Sequence, residues 1–178
     1  ALQTWKRSQG IAWLGAYKWV ILCFVAVGFW NTVGAGLLGF AINPPASLYY
    51  VQGLNMTAAH GHAALFGVYG MLGIGLMLFC LRGLFDRALH ADQFLKRAFW
   101  SLNIGLFAMV VISLLPVGLM QTWAAVEHGY WYARSPEFLQ NGTVDLFRWL
   151  RIIGDTIFAV GVVAIVLFTL GLGTGQSL

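Results

Sequence analysis

Charge is what this chain has least of. Only 9% of its 178 residues are Asp, Glu, Lys or Arg, against about 25% in an ordinary soluble domain. Hydrophobic residues make up 60%, and mean hydropathy is +0.77. That balance excludes a water-solvated globular domain and describes an integral membrane protein. Cysteine is equally sparse. Cys23 and Cys80 both fall inside apolar runs, so no structural disulfide is expected. No Cys-x-x-Cys-His occurs, which excludes covalently attached c-type haem from this chain. Walker loop, dinucleotide fingerprint and nucleophile elbow are all missing. The net charge of +4 and pI of about 9.3 do not argue for nucleic acid. The cations sit in short segments between apolar runs, where membrane topology is encoded.

What is present is length in apolar runs. Four stretches, at about 17–42, 57–81, 95–126 and 146–172, are long enough to cross a hydrocarbon core of about 30 Å. Asn43-Pro44-Pro45 ends the first, because proline lacks a donor and pushes its predecessor out of helix. Asn55 or Thr57 is the expected N-cap of the second, and Pro116 predicts a kink in the third. Strands are excluded, since lipid does not tolerate open sheet edges and no barrel alternation is seen. The fold class is therefore all-α integral membrane, with four transmembrane helices. Lys6, Arg7, Lys18, Arg82, Arg87, Lys96 and Arg97 fall on one side of the membrane, and Arg134, Arg148 and Arg151 on the other. The positive-inside rule makes the first side cytoplasmic and puts both chain ends there. The aromatic loop 127–146 (Tyr130, Trp131, Tyr132, Phe138) is then outside, as part of an interfacial belt or a lid. The start at Ala1, without a leader pattern, reads as part of something larger.

Within that apolar background, His60-Gly61-His62 stands out near the outer end of the second span. Side chains at i and i+2 on a helix point about 200° apart, so the two imidazoles cannot share one metal from the same face. They can each hold a different planar cofactor, and haem iron is the common reason to place neutral histidines in lipid. The alternative is a hydrogen-bonded pair inside a bundle. Gly61, Gly67, Gly70, Gly73 and Gly75, with Ala58, Ala59, Ala63 and Ala64, strip bulk from this helix. Small residues allow close helix packing and equally allow a porphyrin to approach the backbone.

Asp155 is the one acid deep in a span, and it is either a proton-accepting group for a substrate from the outer leaflet or the ion-pair partner of Arg151. Arg148 and Arg151, at the outer interface, suit haem propionates or simple topological anchoring. Asn31, Thr32, Asn103, Ser113 and Thr122 are read as hydrogen-bonding between helices. His90 and His128 are placed at the surface, where Glu127 and His128 are available for proton traffic.

The runs Asn43-Pro44-Pro45, Leu48-Tyr49-Tyr50-Val51-Gln52-Gly53-Leu54-Asn55 and Ala59-His60-Gly61-His62-Ala63-Ala64-Leu65-Phe66-Gly67-Val68-Tyr69-Gly70 carry a resemblance. They resemble the C-terminal part of quinol-dependent nitric oxide reductases, bacterial members of the haem–copper oxidase superfamily. The resemblance covers residues 1–178 as a single membrane segment, the last four helices of a longer catalytic subunit. It implies two b-type haems in a larger helical bundle, with His60 on the high-spin haem iron and His62 on the low-spin haem iron. It implies quinol binding at Asp155, and reduction of two NO to N2O and water. It places the protein in the bacterial inner membrane. The family's non-haem iron and the second ligand of the low-spin haem rely on residues outside this chain. The remaining N-terminal part of the subunit, quinol and membrane lipid are therefore the expected partners, and nucleic acid is not. An oxygen-reducing haem–copper oxidase and a non-catalytic haem-anchoring subunit are the competing readings. A four-helix transporter is disfavoured, because no span shows an unwound centre apart from Pro116.

Overall fold

The computed structural model describes residues 12–85 and 92–174. Lys6, Arg7, Arg87 and His90 lie outside the described residues. Among those described, the regular structure is entirely helical. A short helix, α1 (Ala12–Ala16), leads into α2 (Lys18–Ile42). After α3 (Pro45–Val51) come α4 (Asn55–Leu84) and α5 (Gln93–His128). The loop after α5 holds α6 (Pro136–Leu139), and α7 (Gly142–Trp149) and α8 (Arg151–Thr174) close the chain. Four spans are long and apolar enough to cross a membrane, α7 and α8 together forming the fourth. The fourth begins at Gly142 because the Asn141 side chain caps it, accepting from the Thr143 amide at 3.0 Å.

One local expectation is corrected. Neither Asn55 nor Thr57 caps α4; the N-cap is Leu54, with no side-chain bond. Asn55 instead directs its amide to α5, and Thr57 donates to the Val51 carbonyl. Pro116 sits in the first turn after a π-helical stretch, Met109–Leu114, so α5 stays continuous across it. A wide turn relaxes the register ahead of a residue that has no amide proton to give. Similar stretches occur at Asn31–Leu38 in α2 and at His62–Gly70 in α4. Spans expected to be plain α-helix are therefore widened at three places.

The core is layered along the length of the spans. Trp30, Ala59, Ala63, Met71, Leu102 and Leu106 pack at mid-height. Leu54, Val117, Ala124, Ala133, Phe138 and Val144 join the loop after α5 to the bundle. Trp19, Cys23, Leu78, Leu95 and Phe168 fill the opposite end. Of the polar residues expected to bond between helices, Asn103 does so. Asn103 accepts from the Trp30 indole at 2.9 Å, whereas Thr32 and Thr122 bond carbonyls of their own helices at Gly28 and Gly118.

Glycine sets the closest approach of α5 to α8. A Cβ on Gly105 would lie 2.5 Å from the Phe158 amide nitrogen, and one on Gly154 2.6 Å from that of Met109. Backbone atoms cannot move aside as a flexible side chain can. Gly105→Val is expected to destabilise the protein by about 1–3 kcal/mol, the usual cost of overpacking. Gly73→Val, at a position with nothing within 4 Å, should change little. Thermal unfolding in detergent separates the two.

Candidate functional site

The two histidines enter from the first turns of α4, and the close approach of α2 decides where the first one points. A Cβ on Gly34 would meet Ala63 at 2.7 Å, so the two backbones are nearly in contact there. That proximity brings the Gly34 carbonyl within 2.8 Å of His60 Nδ1. Gly39, one turn on, leaves space for the ring: an added Cβ would come 3.0 Å from His60 Cε1. His62 turns away from α2. Its Nδ1 lies 2.8 Å from the Ala58 carbonyl, and its Nε2 lies 3.1 Å from Arg151 Nη2 on α8. The imidazoles thus face different neighbouring helices.

The tautomers follow from the partners. A carbonyl oxygen only accepts, so each Nδ1 must carry the proton. A guanidinium only donates, so His62 Nε2 must present its lone pair to Arg151. Both rings are held with Nδ1–H bound to backbone, the arrangement that orients a metal-ligating imidazole and turns its Nε2 lone pair outward.

Arg151 connects this site to Asp155. Its Nε donates to Asp155 Oδ1 at 3.3 Å, one turn along α8. Asp155 has its side chain 47% exposed on the surface of this chain. A cleft lined by His62, Phe66, Leu106, Met109, Arg151 and Phe158 runs beside it. Arg148 diverges from this group. It donates to the Leu139 carbonyl at 3.2 Å and pairs with Asp145 at 3.5 Å. The two arginines meet at a neighbouring cavity of about 340 Å³, shared with Asn55, Ser113 and Trp149. Among the described residues, no three His, Cys, Asp or Glu side chains gather into a metal cluster. His128 is packed edge-on between Trp123 and Tyr132.

Residues 8–157 match the family described as cytochrome c and quinol oxidase polypeptide I. The chain belongs to this family. It is also 31% identical over 136 residues to a nitric oxide reductase subunit of Stutzerimonas stutzeri, covering 74% of this chain. The chain spans 28% of the length of that relative. The all-α membrane bundle expected from hydropathy is the architecture of the cytochrome c and quinol oxidase polypeptides, a family that works with haem and metal cofactors. The imidazoles fit such a group on chemical grounds: each is backbone-anchored through Nδ1, which leaves Nε2 as the nitrogen to meet iron, and Arg151 would have to release that of His62 first.

Several supporting residues were not singled out in the sequence. Gly34 and Gly39 cradle His60, and their spacing in a glycine-rich run was the available signal. Gln121, 4% exposed, was the other omission. Its Oε1 accepts from both the backbone and side-chain amides of Asn55, and its Nε2 donates to the Ala133 carbonyl at 3.0 Å. It pins the start of α4, five residues before His60, to α5 and the loop that follows it. Gln121→Leu would leave the Ala133 carbonyl and the Asn55 amides without these partners. A loss of about 1–3 kcal/mol is expected, with faster hydrogen exchange at the Asn55 amide.

Proposed function

We propose that this chain is the C-terminal membrane segment of a nitric oxide reductase that reduces two NO to N2O and water with two protons and two electrons from quinol. The observation that carries the reading is the His60–His62 pair. Two iron-competent imidazoles on one helix face different helices, which is what holding two haems side by side demands. Likeness to the nitric oxide reductase subunit of Stutzerimonas stutzeri supports the choice of substrate. His60 would hold the high-spin b-type haem and His62 the low-spin one. Bound there, the haems supply the electron relay and an iron on which NO is reduced. Non-haem iron would be ligated by the remaining N-terminal part of the subunit. The segment would sit in the bacterial inner membrane with both ends cytoplasmic, by the distribution of its cations.

The work left to this chain's own residues is orientation and proton handling. Gly34 and Ala58 hold the imidazoles by their Nδ1 protons. Arg151, on release from His62, and Arg148, on release from Asp145, would each pair with a haem propionate, since a guanidinium matches a carboxylate in two bonds. Asp155, exposed beside the His62 cleft, would accept the quinol hydroxyl proton as the electron leaves. An oxygen-reducing oxidase is the second reading, favoured by the description of the matched family. Metal analysis of the complete subunit, iron against copper, separates the two.

In the complete enzyme, His62→Ala should abolish the low-spin bands of the reduced-minus-oxidised spectrum while His60→Ala perturbs the high-spin ones. Identical spectral losses from the two variants would mark the pair as structural and end the reading.

Asp155→Asn keeps the side-chain shape but not the base. Quinol-driven turnover should fall by about 10²-fold or more, the usual share of a general base. Turnover with an artificial reductant that reaches the haems directly should survive. If Asp155 serves only to pair with Arg151, the two rates will instead change together.

A further inference from the structure

A second site lies at the far end of the bundle, some 20 residues, or about 30 Å, along α4 from His62. There the start of α2 meets the ends of α4 and α8 and the start of α5 around a cavity of about 300 Å³. Its wall is apolar, built from Leu78, Leu95 and Phe168 with the Trp19 ring. Two cations, Lys18 and Arg82, also line it.

Neither cation is an ordinary solvated charge. Both are half-buried, and among the described residues neither meets a carboxylate. Both ion pairs found there lie instead at the other end, within 145–155. What each cation has is an aromatic face. Lys18 Nζ stands 4.8 Å from the Trp19 ring centroid, and Arg82 Cζ stands 6.0 Å from that of Tyr17. Topology alone accounts for cations at this end of the helices. It does not account for two of them converging on one cavity with a greasy wall where no described acid meets either. An anion with an apolar tail satisfies both halves of that lining. At a membrane–water boundary, basic pockets between helices are where anionic headgroups bind.

We propose that this cavity seats the headgroup of an anionic phospholipid, its phosphate between Lys18 and Arg82 and its glycerol and first methylenes against Leu78, Leu95 and Phe168. The Trp19 and Tyr17 rings hold the two cations at the boundary by cation–π attraction and so limit the ordering that the lipid must impose. The site is independent of the histidines and of the reaction proposed for them.

The test uses the complete catalytic subunit, purified in detergent and equilibrated with mixed micelles of phosphatidylglycerol and phosphatidylcholine. Retained lipid is read by native mass spectrometry. The unmodified protein should keep one phosphatidylglycerol in preference to phosphatidylcholine. Lys18→Gln with Arg82→Gln should weaken that preference by about tenfold or more, since each cation near an anionic surface contributes roughly fivefold. Lys18→Arg with Arg82→Lys, which conserves charge, should retain it, and so separates lost charge from lost folding. Three outcomes overturn the proposal. One is the absence of preferential retention by the unmodified protein. Another is an unchanged preference in the Gln variant, which puts the lipid elsewhere. The third is displacement of the lipid by millimolar inorganic phosphate, which makes the site one for a free anion.

Discussion

The near-contact of the α2 and α4 backbones at Gly34 and Ala63 is the constraint on which the site depends. In lipid there is no hydrophobic drive between helices, so association rests on packing and interhelical hydrogen bonds. Small residues supply both here. With only the Ala63 methyl between the helices, van der Waals contact is dense and a main-chain carbonyl of α2 comes within reach of His60. Gly67, whose added Cβ would lie 2.5 Å from the Trp30 ring, extends the same seam and brings in Asn103 through the indole. His60 is consequently oriented by backbone, the least mobile partner a fold can offer.

His62 is oriented differently. Its own helix provides the Ala58 carbonyl, and α8 provides Arg151. The same guanidinium reaches Asp155, so His62, Arg151 and Asp155 form one hydrogen-bonded chain on the face turned away from α2. Neutralisation by Arg151 and service to a substrate were competing accounts of Asp155. The geometry makes them compatible. The carboxylate is paired, yet nearly half exposed beside an open cleft, so one oxygen can hold the arginine while the other faces a ligand.

The π-helical stretches belong to the same arrangement. Those in α2 and α4 lie against each other, and the one in α4 begins at His62. Such wide turns cost hydrogen-bond quality and recur at functional sites, where side chains must be re-aimed. Hydropathy is blind to them, because the residues are as apolar as those of any α-helical turn. That is why the spans read as unbroken α-helix.

Much of this protein was legible in one dimension. Four crossings follow from run length and the scarcity of charge, and the opposite headings of His60 and His62 follow from 100° per residue; both are local properties that no neighbour can reverse. Pairings were not legible. Gly34 is 26 residues from His60, Gln121 is 66 from Asn55, and Arg151 is 89 from His62. An apolar helix surface carries little information about which neighbour it will meet. Asp155 shows the same limit from the other side: sequence placed it within a span, and only packing decided that it faces outward. The sequence by itself determined what crosses the membrane and which residues can do chemistry there. Tertiary structure alone decided which partner each of them holds, because those contacts exist only once glycine has let particular helices close on one another.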